Sequence, residues 1–141
     1  MSLFGGHMDL SEVRQLVAEQ LPNRYEPVLL TFYGHESRPR GDYIIIGDDY
    51  GTELCVRLSD GAVYSVDPEG SLPRRFMNSG IRQLAKFISI YETGRAEAPS
   101  EPGCLEARRL RNKMAEIDLK AIEDPENWWS RILDQVENEE L

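Results

Sequence analysis

The residues that follow the N-terminal segment carry apolar positions at helical spacing. Four of them fall on one stripe of a helix: Leu10, Val13, Val17 and Leu21. Asp9 and Glu12 stand in the arrangement of a capping box, and Pro22 cannot continue a helix. The pattern therefore predicts a helix from about Asp9 to Leu21.

The pattern then changes to short runs of β-forming residues. "YEPVLLTFYG" predicts a strand with Pro27 near its beginning, and "GHESRPRGD" predicts a polar loop. "DYIIIG", "TELCVRL" and "AVYSVD" predict three more strands, joined by the turn signals "DDYG" and "SDG". Consecutive short strands with tight turns between them predict an antiparallel sheet.

Helical spacing returns after "PEGSLPRR". Asn78 or Ser79 can accept a hydrogen bond from a free backbone N–H group, so a helix is predicted to start at one of them. Its apolar stripe consists of Ile81, Leu84, Ala85, Ile88 and Tyr91. Gly94 suits the position after the helix end, and "RAEAPSEPG" predicts a surface linker.

The last third of the chain is predicted to be helical. "CLEARRLRNKMAEI" favours a helix by composition, and Asp124 with Pro125 predicts the start of the final one. Its apolar face consists of Trp129, Ile132, Leu133 and Val136. Trp128 lies off that face, so it either reaches a neighbouring helix or is exposed. The order of elements predicts an α+β fold, with a central, mostly antiparallel sheet and flanking N-terminal and C-terminal helices.

Length and composition predict one ordinary globular domain of 141 residues. "GGHM" is typical of an expression scar, so residues 1–8 are set apart and residues 9–141 form the predicted domain. No apolar run approaches the roughly 20 residues that span a bilayer, and no signal peptide precedes the domain. Two cysteines without a secretory signal predict a reducing, cytoplasmic setting, and the sequence leaves open a disulfide between Cys55 and Cys104, which a chain of this size does not need.

The net charge of −9 restricts the partners. Residues 117–141 alone hold eight acidic and two basic residues. Such a surface repels phosphate backbones, so direct nucleic-acid binding is disfavoured and a basic protein partner is favoured. Solubility is the alternative reason for an acidic surface.

Catalytic and metal-binding motifs are missing from the sequence. There is no P-loop, no G-x-S-x-G, no H-E-x-x-H and no C-x-x-C, and no cofactor or metal is predicted. Cys55 lies in an apolar strand, where a thiol is usually inert, although a pair with His35 can be drawn. Asp48 and Asp49 flank a glycine-containing turn, where such residues usually bond to their own backbone.

One larger pattern points to a family. A "GAVYSVD" strand, a short loop and "RRFMNSGIRQLAKFISIYE" give an aromatic residue before an Asn-Ser step and a phenylalanine in the helix middle. The positions are Gly61, Val63, Phe76, Asn78, Ser79 and Phe87. The stretch is preceded by "IIIGDDYGTELCVRLSDG" and followed by an Ile-Asp step and "DPENWW". Together these segments resemble the bacterial SUKH superfamily. The C-terminal segment resembles the closing segment of the fourth SUKH subfamily.

The resemblance implies an α+β fold and a non-enzymatic immunity protein. Such a protein binds and neutralises a toxin delivered between competing bacteria, commonly a nuclease or a nucleic-acid deaminase. An acidic surface would then cover the toxin's basic active site. The expected contacts lie on turns at strand ends: Asp48, Asp49, Tyr50, Asp67 and Glu69. A regulatory or scaffold protein of the same fold is the alternative, and a small-ligand-binding protein or enzyme is a third.

Overall fold

The computed structural model describes residues 8–141. Four α-helices are formed: α1 Leu10–Gln20, α2 Ile81–Glu97, α3 Gly103–Asp118 and α4 Trp128–Glu137. Seven strands are formed: β1 Arg24–Tyr25, β2 Leu30–Phe32, β3 Arg38–Arg40, β4 Tyr43–Asp48, β5 Glu53–Arg57, β6 Val63–Val66 and β7 Arg75–Asn78. Three 3₁₀ turns cover Glu26–Val28, Gly34–Glu36 and Leu119–Ala121. These elements confirm the predicted α+β class.

All seven strands form one antiparallel sheet. Its order is β1-β2-β4-β5-β6-β7, and β3 pairs with the part of β4 that β2 leaves uncovered. A bulge interrupts the β4–β5 register between Ile45 and Gly47. A side chain at Gly47 would place its Cβ 2.1 Å from the Thr31 carbonyl oxygen, so only glycine allows β2 to pair there.

The hydrophobic core lies between one face of the sheet and the helices. The sheet contributes Leu30, Ile44, Ile46, Leu54, Val56, Val63 and Met77. The helices contribute Val13, Val17, Leu84, Phe87, Leu110, Met114, Trp129 and Leu133. Phe87 and Trp129 meet edge to face with ring centroids 5.6 Å apart, so the phenylalanine of the motif anchors α2 against α4.

The start of the chain follows the sequence prediction closely. The Asp9 carboxylate accepts from the Glu12 N–H at 2.8 Å, and α1 ends at Gln20 before Leu21 and Pro22. The predicted expression scar falls mostly on residues 1–7, which lie outside the described residues. Met8 is described, and its N–H donates to the Leu58 carbonyl at 3.0 Å. The boundary at residue 9 stays a prediction.

Two predictions for residues 25–42 were wrong. The single strand predicted from residue 25 is broken by the 3₁₀ turn Glu26–Val28 and by Leu29, whose φ is 59°. The stretch predicted as a polar loop contains strand β3. Its exposed Arg-Pro-Arg backbone pairs with β4, which follows directly after a two-residue turn at Gly41 and Asp42, so a local hairpin forms although the composition is polar.

The predicted start and end of α2 were also wrong. Residues 75–78 form β7, so Asn78 lies in a strand and α2 begins three residues later at Ile81. Gly80 takes the cap position in extended conformation, with no side chain capping the helix. Gly94 lies inside α2 instead of after it, because its missing side chain lets Leu110 of α3 approach.

The last helix begins later than the sequence predicted. Asp124 does not cap it; its carboxylate accepts from the Glu126 N–H at 2.9 Å and closes a turn. Asn127 takes the cap position and α4 starts at Trp128. The predicted apolar face is buried as expected, and Trp128 is buried as well.

Candidate partner-binding surface

The two turns that carry the predicted contact residues lie at the same end of the sheet. Strands β4, β5, β6 and β7 are consecutive antiparallel neighbours. The β4–β5 turn and the β6–β7 loop therefore emerge together. We call residues 48–52 and 67–72 the loop end. All five predicted contact residues belong to it: Asp48, Asp49, Tyr50, Asp67 and Glu69.

Asp49 holds the β4–β5 turn together. One carboxylate oxygen accepts from the Thr52 N–H at 2.8 Å and from the Thr52 hydroxyl at 2.7 Å. The other accepts from the indole N–H of Trp128 at 2.8 Å. Since Trp128 is the first residue of α4 and is only 6% exposed, this bond fixes the turn to the helical layer.

Asp48 is half-buried beside the same turn. Its carboxylate accepts from the Tyr33 hydroxyl at 2.6 Å and from the Tyr50 N–H at 3.2 Å. Burial and the bond to Asp48 raise the pKa of Tyr33 to about 12, so the phenol stays a donor at neutral pH. Asp48 is thus an acceptor within the fold as well as a negative charge near the surface.

Tyr50 is the most exposed large hydrophobic side chain of the described residues. It is 86% exposed and its backbone has a φ of 80°. The left-handed region costs a non-glycine residue about 1–2 kcal/mol. The turn therefore holds an aromatic ring in solvent at an energetic cost, with no packing in the domain to compensate.

The β6–β7 loop is shaped by Asp67. Its carboxylate accepts from the N–H groups of Glu69, Ser71 and Leu72, each at 3.0 Å. Glu69 is exposed, and Leu72 is 65% exposed. A single carboxylate thus binds three backbone N–H groups of the loop.

Sequence reasoning missed three members of this region. Leu72 had no signal beyond its place in a loop. For Trp128, the sequence pattern did not distinguish a contact with a neighbouring helix from exposure. Glu126 lies at the same end, because Arg75 at the start of β7 donates to its carboxylate at 3.1 Å and to its carbonyl at 2.6 Å. The contact links two segments 51 positions apart, and no local pattern predicts it.

The Asn-Ser step of the motif has a different role from the predicted helix cap. Asp118, at the end of α3, accepts from the Asn78 side-chain amide at 3.2 Å, the Ser79 N–H at 2.8 Å and the Ser79 hydroxyl at 2.7 Å. Asn78 in turn accepts from the indole N–H of Trp129 at 2.9 Å. We call Asn78, Ser79, Asp118 and Trp129 the polar clamp, since it joins β7, α3 and α4 through buried and partly buried hydrogen bonds.

The described residues offer little for catalysis. They contain no group of three His, Cys, Asp or Glu side chains placed to hold a metal ion. Burial raises the pKa of the Cys55 thiol to about 11, so it stays protonated and is a poor nucleophile at neutral pH. Cys55 is buried and Cys104 is exposed, and both are free thiols.

These features define an α+β domain that displays rigid, polar turns at one end of its sheet. The family model described as SUKH-4 immunity protein matches residues 16–135, from within α1 to within α4. The chain therefore belongs to the SUKH-4 immunity protein family. Membership supports an immunity function and implies a cognate toxin as partner, and the family is generally non-catalytic. No curated protein and no solved structure gave a significant match.

Within residues 8–141, no helix is both long enough and apolar enough to cross a membrane.

Proposed function

We propose that this protein binds a toxin inside the cytoplasm of the cell that makes it, and covers the toxin's active site. The observation that carries the proposal is the family match across residues 16–135. A nuclease or nucleic-acid deaminase is the favoured toxin, because its basic substrate cleft would attract a chain with a net charge of −9.

The loop end is the proposed contact surface. Asp48, Asp49 and Asp67 accept hydrogen bonds from neutral donors, and Glu69 adds an exposed carboxylate. A rigid acidic surface loses little conformational entropy on binding and speeds association with a basic cleft. Tyr50 supplies the aromatic side chain that central contacts commonly use.

The first experiment is a toxicity rescue with the neighbouring gene. Its product would be induced in a sensitive bacterium with and without this protein. Growth restored only by co-expression supports immunity. Toxicity that persists in the presence of this protein rejects that pair as cognate. If the product of the neighbouring gene is harmless, the scaffold alternative is favoured.

Tyr50→Gly separates binding from folding. Glycine relieves the strained backbone, and the side chain it removes is mostly exposed, so the unfolding free energy should change by less than about 1 kcal/mol. If the ring is a central contact, the affinity for the toxin identified by the rescue experiment should fall about 30-fold. Unchanged affinity would remove Tyr50 from the interface.

Glu69→Lys tests the charge of the loop end. The reversal should slow association with a basic toxin and weaken its dependence on salt. Glu116→Lys on α3 is the matched control, since Glu116 is exposed and the charge change is equal. Equal slowing by both variants would mean that net charge matters and that this surface does not.

A further inference from the structure

The sheet has a second face, which points away from the core between the sheet and the helices. Residues directly opposite each other on paired strands share a face. One row across this face consists of Arg38, Ile45, Cys55, Tyr64 and Phe76. A second row consists of Arg40, Tyr43 and Arg57. Seven of these eight residues lie outside the core between the sheet and the helices, and Phe76 packs at the margin of that core.

Cations lie over the aromatic rings of this face. The guanidinium carbons of Arg57 and Arg74 are 5.0 Å and 4.4 Å from the centre of the Tyr64 ring. The Lys120 ammonium is 5.3 Å from the centre of the Phe76 ring. The side chain of Arg40 reaches both the Glu53 carboxylate and the Pro68 carbonyl. We call this surface the arginine face.

The charge of the arginine face is opposite to that of the rest of the protein. Five cations lie on it: Arg38, Arg40, Arg57, Arg74 and Lys120. Three carboxylates share it: Asp48, Glu53 and Asp60. Five positive and three negative charges give the face +2, whereas the chain carries −9, so all other residues together carry −11.

Two of the cations are not used in ion pairs. Arg38 and Arg40 contact Glu53, and Arg57 contacts Asp60. Within residues 8–141, Arg74 and Lys120 form no ion pair; Arg74 donates to the Tyr43 hydroxyl instead. Both are exposed. Their charges are therefore available to a partner, and guanidinium groups match carboxylates in a bidentate geometry.

We propose that the arginine face docks a carboxylate-bearing patch of the toxin. The proposal rests on the function proposed above and adds a second contact of opposite charge. The two surfaces adjoin, because Arg40 bonds to Pro68 between Asp67 and Glu69 of the loop end. A partner with neighbouring basic and acidic patches would then be held in one orientation only, since charge complementarity fixes register and rejects other partners.

Nucleic acid is a poor occupant of the same face. A single strand binds by stacking its bases on bare aromatic rings and by tracking a continuous basic groove. Here Arg57 and Arg74 already cover Tyr64, which is only 8% exposed. A chain of phosphates leaving the face would also meet the negative remainder of the protein.

The test uses the full-length protein and a pair of matched charge reversals. Arg74→Glu with Lys120→Glu changes the arginine face, and Arg82→Glu with Lys86→Glu makes the same change on exposed positions of α2. With the toxin identified by rescue, the first pair should slow association at low salt about tenfold more than the second. Arg74→Gln with Lys120→Gln should give an intermediate rate, and urea unfolding checks that each variant is folded. Equal rates for both reversed pairs would overturn the proposal.

A second measurement does not depend on the toxin. Fluorescence anisotropy would follow a labelled poly-glutamate peptide and a labelled single-stranded oligonucleotide of equal charge at low salt. Binding of the peptide by the wild type, lost in the Arg74→Glu and Lys120→Glu variant, supports the arginine face even if the neighbouring gene fails the rescue. Failure of the peptide to bind, or preference for the oligonucleotide, would overturn it.

Discussion

Removing the Asp118 carboxylate should destabilise the protein strongly, because it is the acceptor at the centre of the polar clamp. It accepts three hydrogen bonds, from one donor on Asn78 and two on Ser79. Asp118 is 7% exposed and Asn78 is fully buried, so water cannot easily replace the carboxylate at the Asn78 amide. Ser79 is exposed as a residue, so its hydroxyl can turn to solvent.

Asp118→Ala therefore leaves two donors, the Asn78 amide and the partly buried Ser79 N–H, without a good partner. A buried donor left unsatisfied costs about 1–3 kcal/mol, so two would cost about 2–6 kcal/mol. Because the Ser79 N–H is only partly buried, we expect the lower part of that range, about 2–4 kcal/mol. That is a large share of the roughly 5–15 kcal/mol by which a domain is stable. Asp118→Asn keeps the shape and one acceptor oxygen but turns its amide N–H₂ towards a donor. Its loss of unfolding free energy should therefore be smaller than that of Asp118→Ala.

Urea unfolding followed by tryptophan fluorescence measures the loss. The transition midpoint should fall while the slope with urea stays unchanged, since the folded and unfolded states keep their exposed areas. Glu116→Ala, two positions earlier on α3 and exposed, is the control and should stay within about 0.5 kcal/mol of the wild type. A loss below about 1 kcal/mol for Asp118→Ala would show that water or a rearranged Asn78 replaces the carboxylate, and the clamp argument would fail.

Three other outcomes are expected. Gly94→Ala should lower the free energy of unfolding, measured in urea, by about 1–2 kcal/mol. The new Cβ would lie 2.4 Å from buried Leu110, and this overpacking exceeds the gain in helix propensity. A more stable variant would contradict the argument. Ellman's reagent at about pH 8 should label Cys104 at once and Cys55 only after unfolding, since burial raises the pKa of Cys55 to about 11; two fast thiols would refute the buried site. Burial raises the pKa of Tyr25 to about 12 from an ordinary value of about 10, so the protonated phenol stabilises the fold fully below pH 10 and this contribution is lost as pH rises towards 12. Tyr25→Phe should therefore lessen the loss of stability at alkaline pH. An unchanged alkaline loss would exclude Tyr25 as its source.

Where local signals agree with tertiary structure, the sequence predicted the elements well. Helix α1 has its cap, its stripe and its terminator within a few residues of each other. Strands β4, β5 and β6 are apolar runs joined by turns, and buried Gly61 has a φ of 77° between the last two. Glycine is the residue that adopts this conformation without cost, so the turn signal had a direct physical basis.

The short edge strands β3 and β7 could not be predicted in the same way. Arg38–Arg40 pairs with β4 and Arg75–Asn78 pairs with β6, in each case the neighbouring strand along the chain, but neither segment carries an apolar alternation that would mark it as a strand. Because β7 was missed, Asn78 and Ser79 were interpreted as a helix start. Their true partner, Asp118, lies 40 and 39 positions away.

The candidate contact residues were predictable as turn residues, and their common location follows from strand order. Their supports were not predictable. The bond between Asp49 and Trp128 joins positions 79 apart, and the exposure of Leu72 depends on how Asp67 folds its loop. The arginine face was hidden as well, since its cations come from four separate segments and look like ordinary surface charges along the chain.

The motif residues and the candidate contacts are linked through neighbouring tryptophans. Trp129 bonds to Asn78 within the polar clamp, while Trp128 bonds to Asp49 in the β4–β5 turn, and the two rings meet edge to face at 4.9 Å. The clamp thus fixes α4 against β7, and α4 fixes the turn that presents Tyr50. Side chains at the tips of the turns, such as Tyr50, make none of these bonds themselves. Their identity can therefore change while the scaffold that positions them stays the same, and under the proposed function such a change would alter the toxin that is recognised.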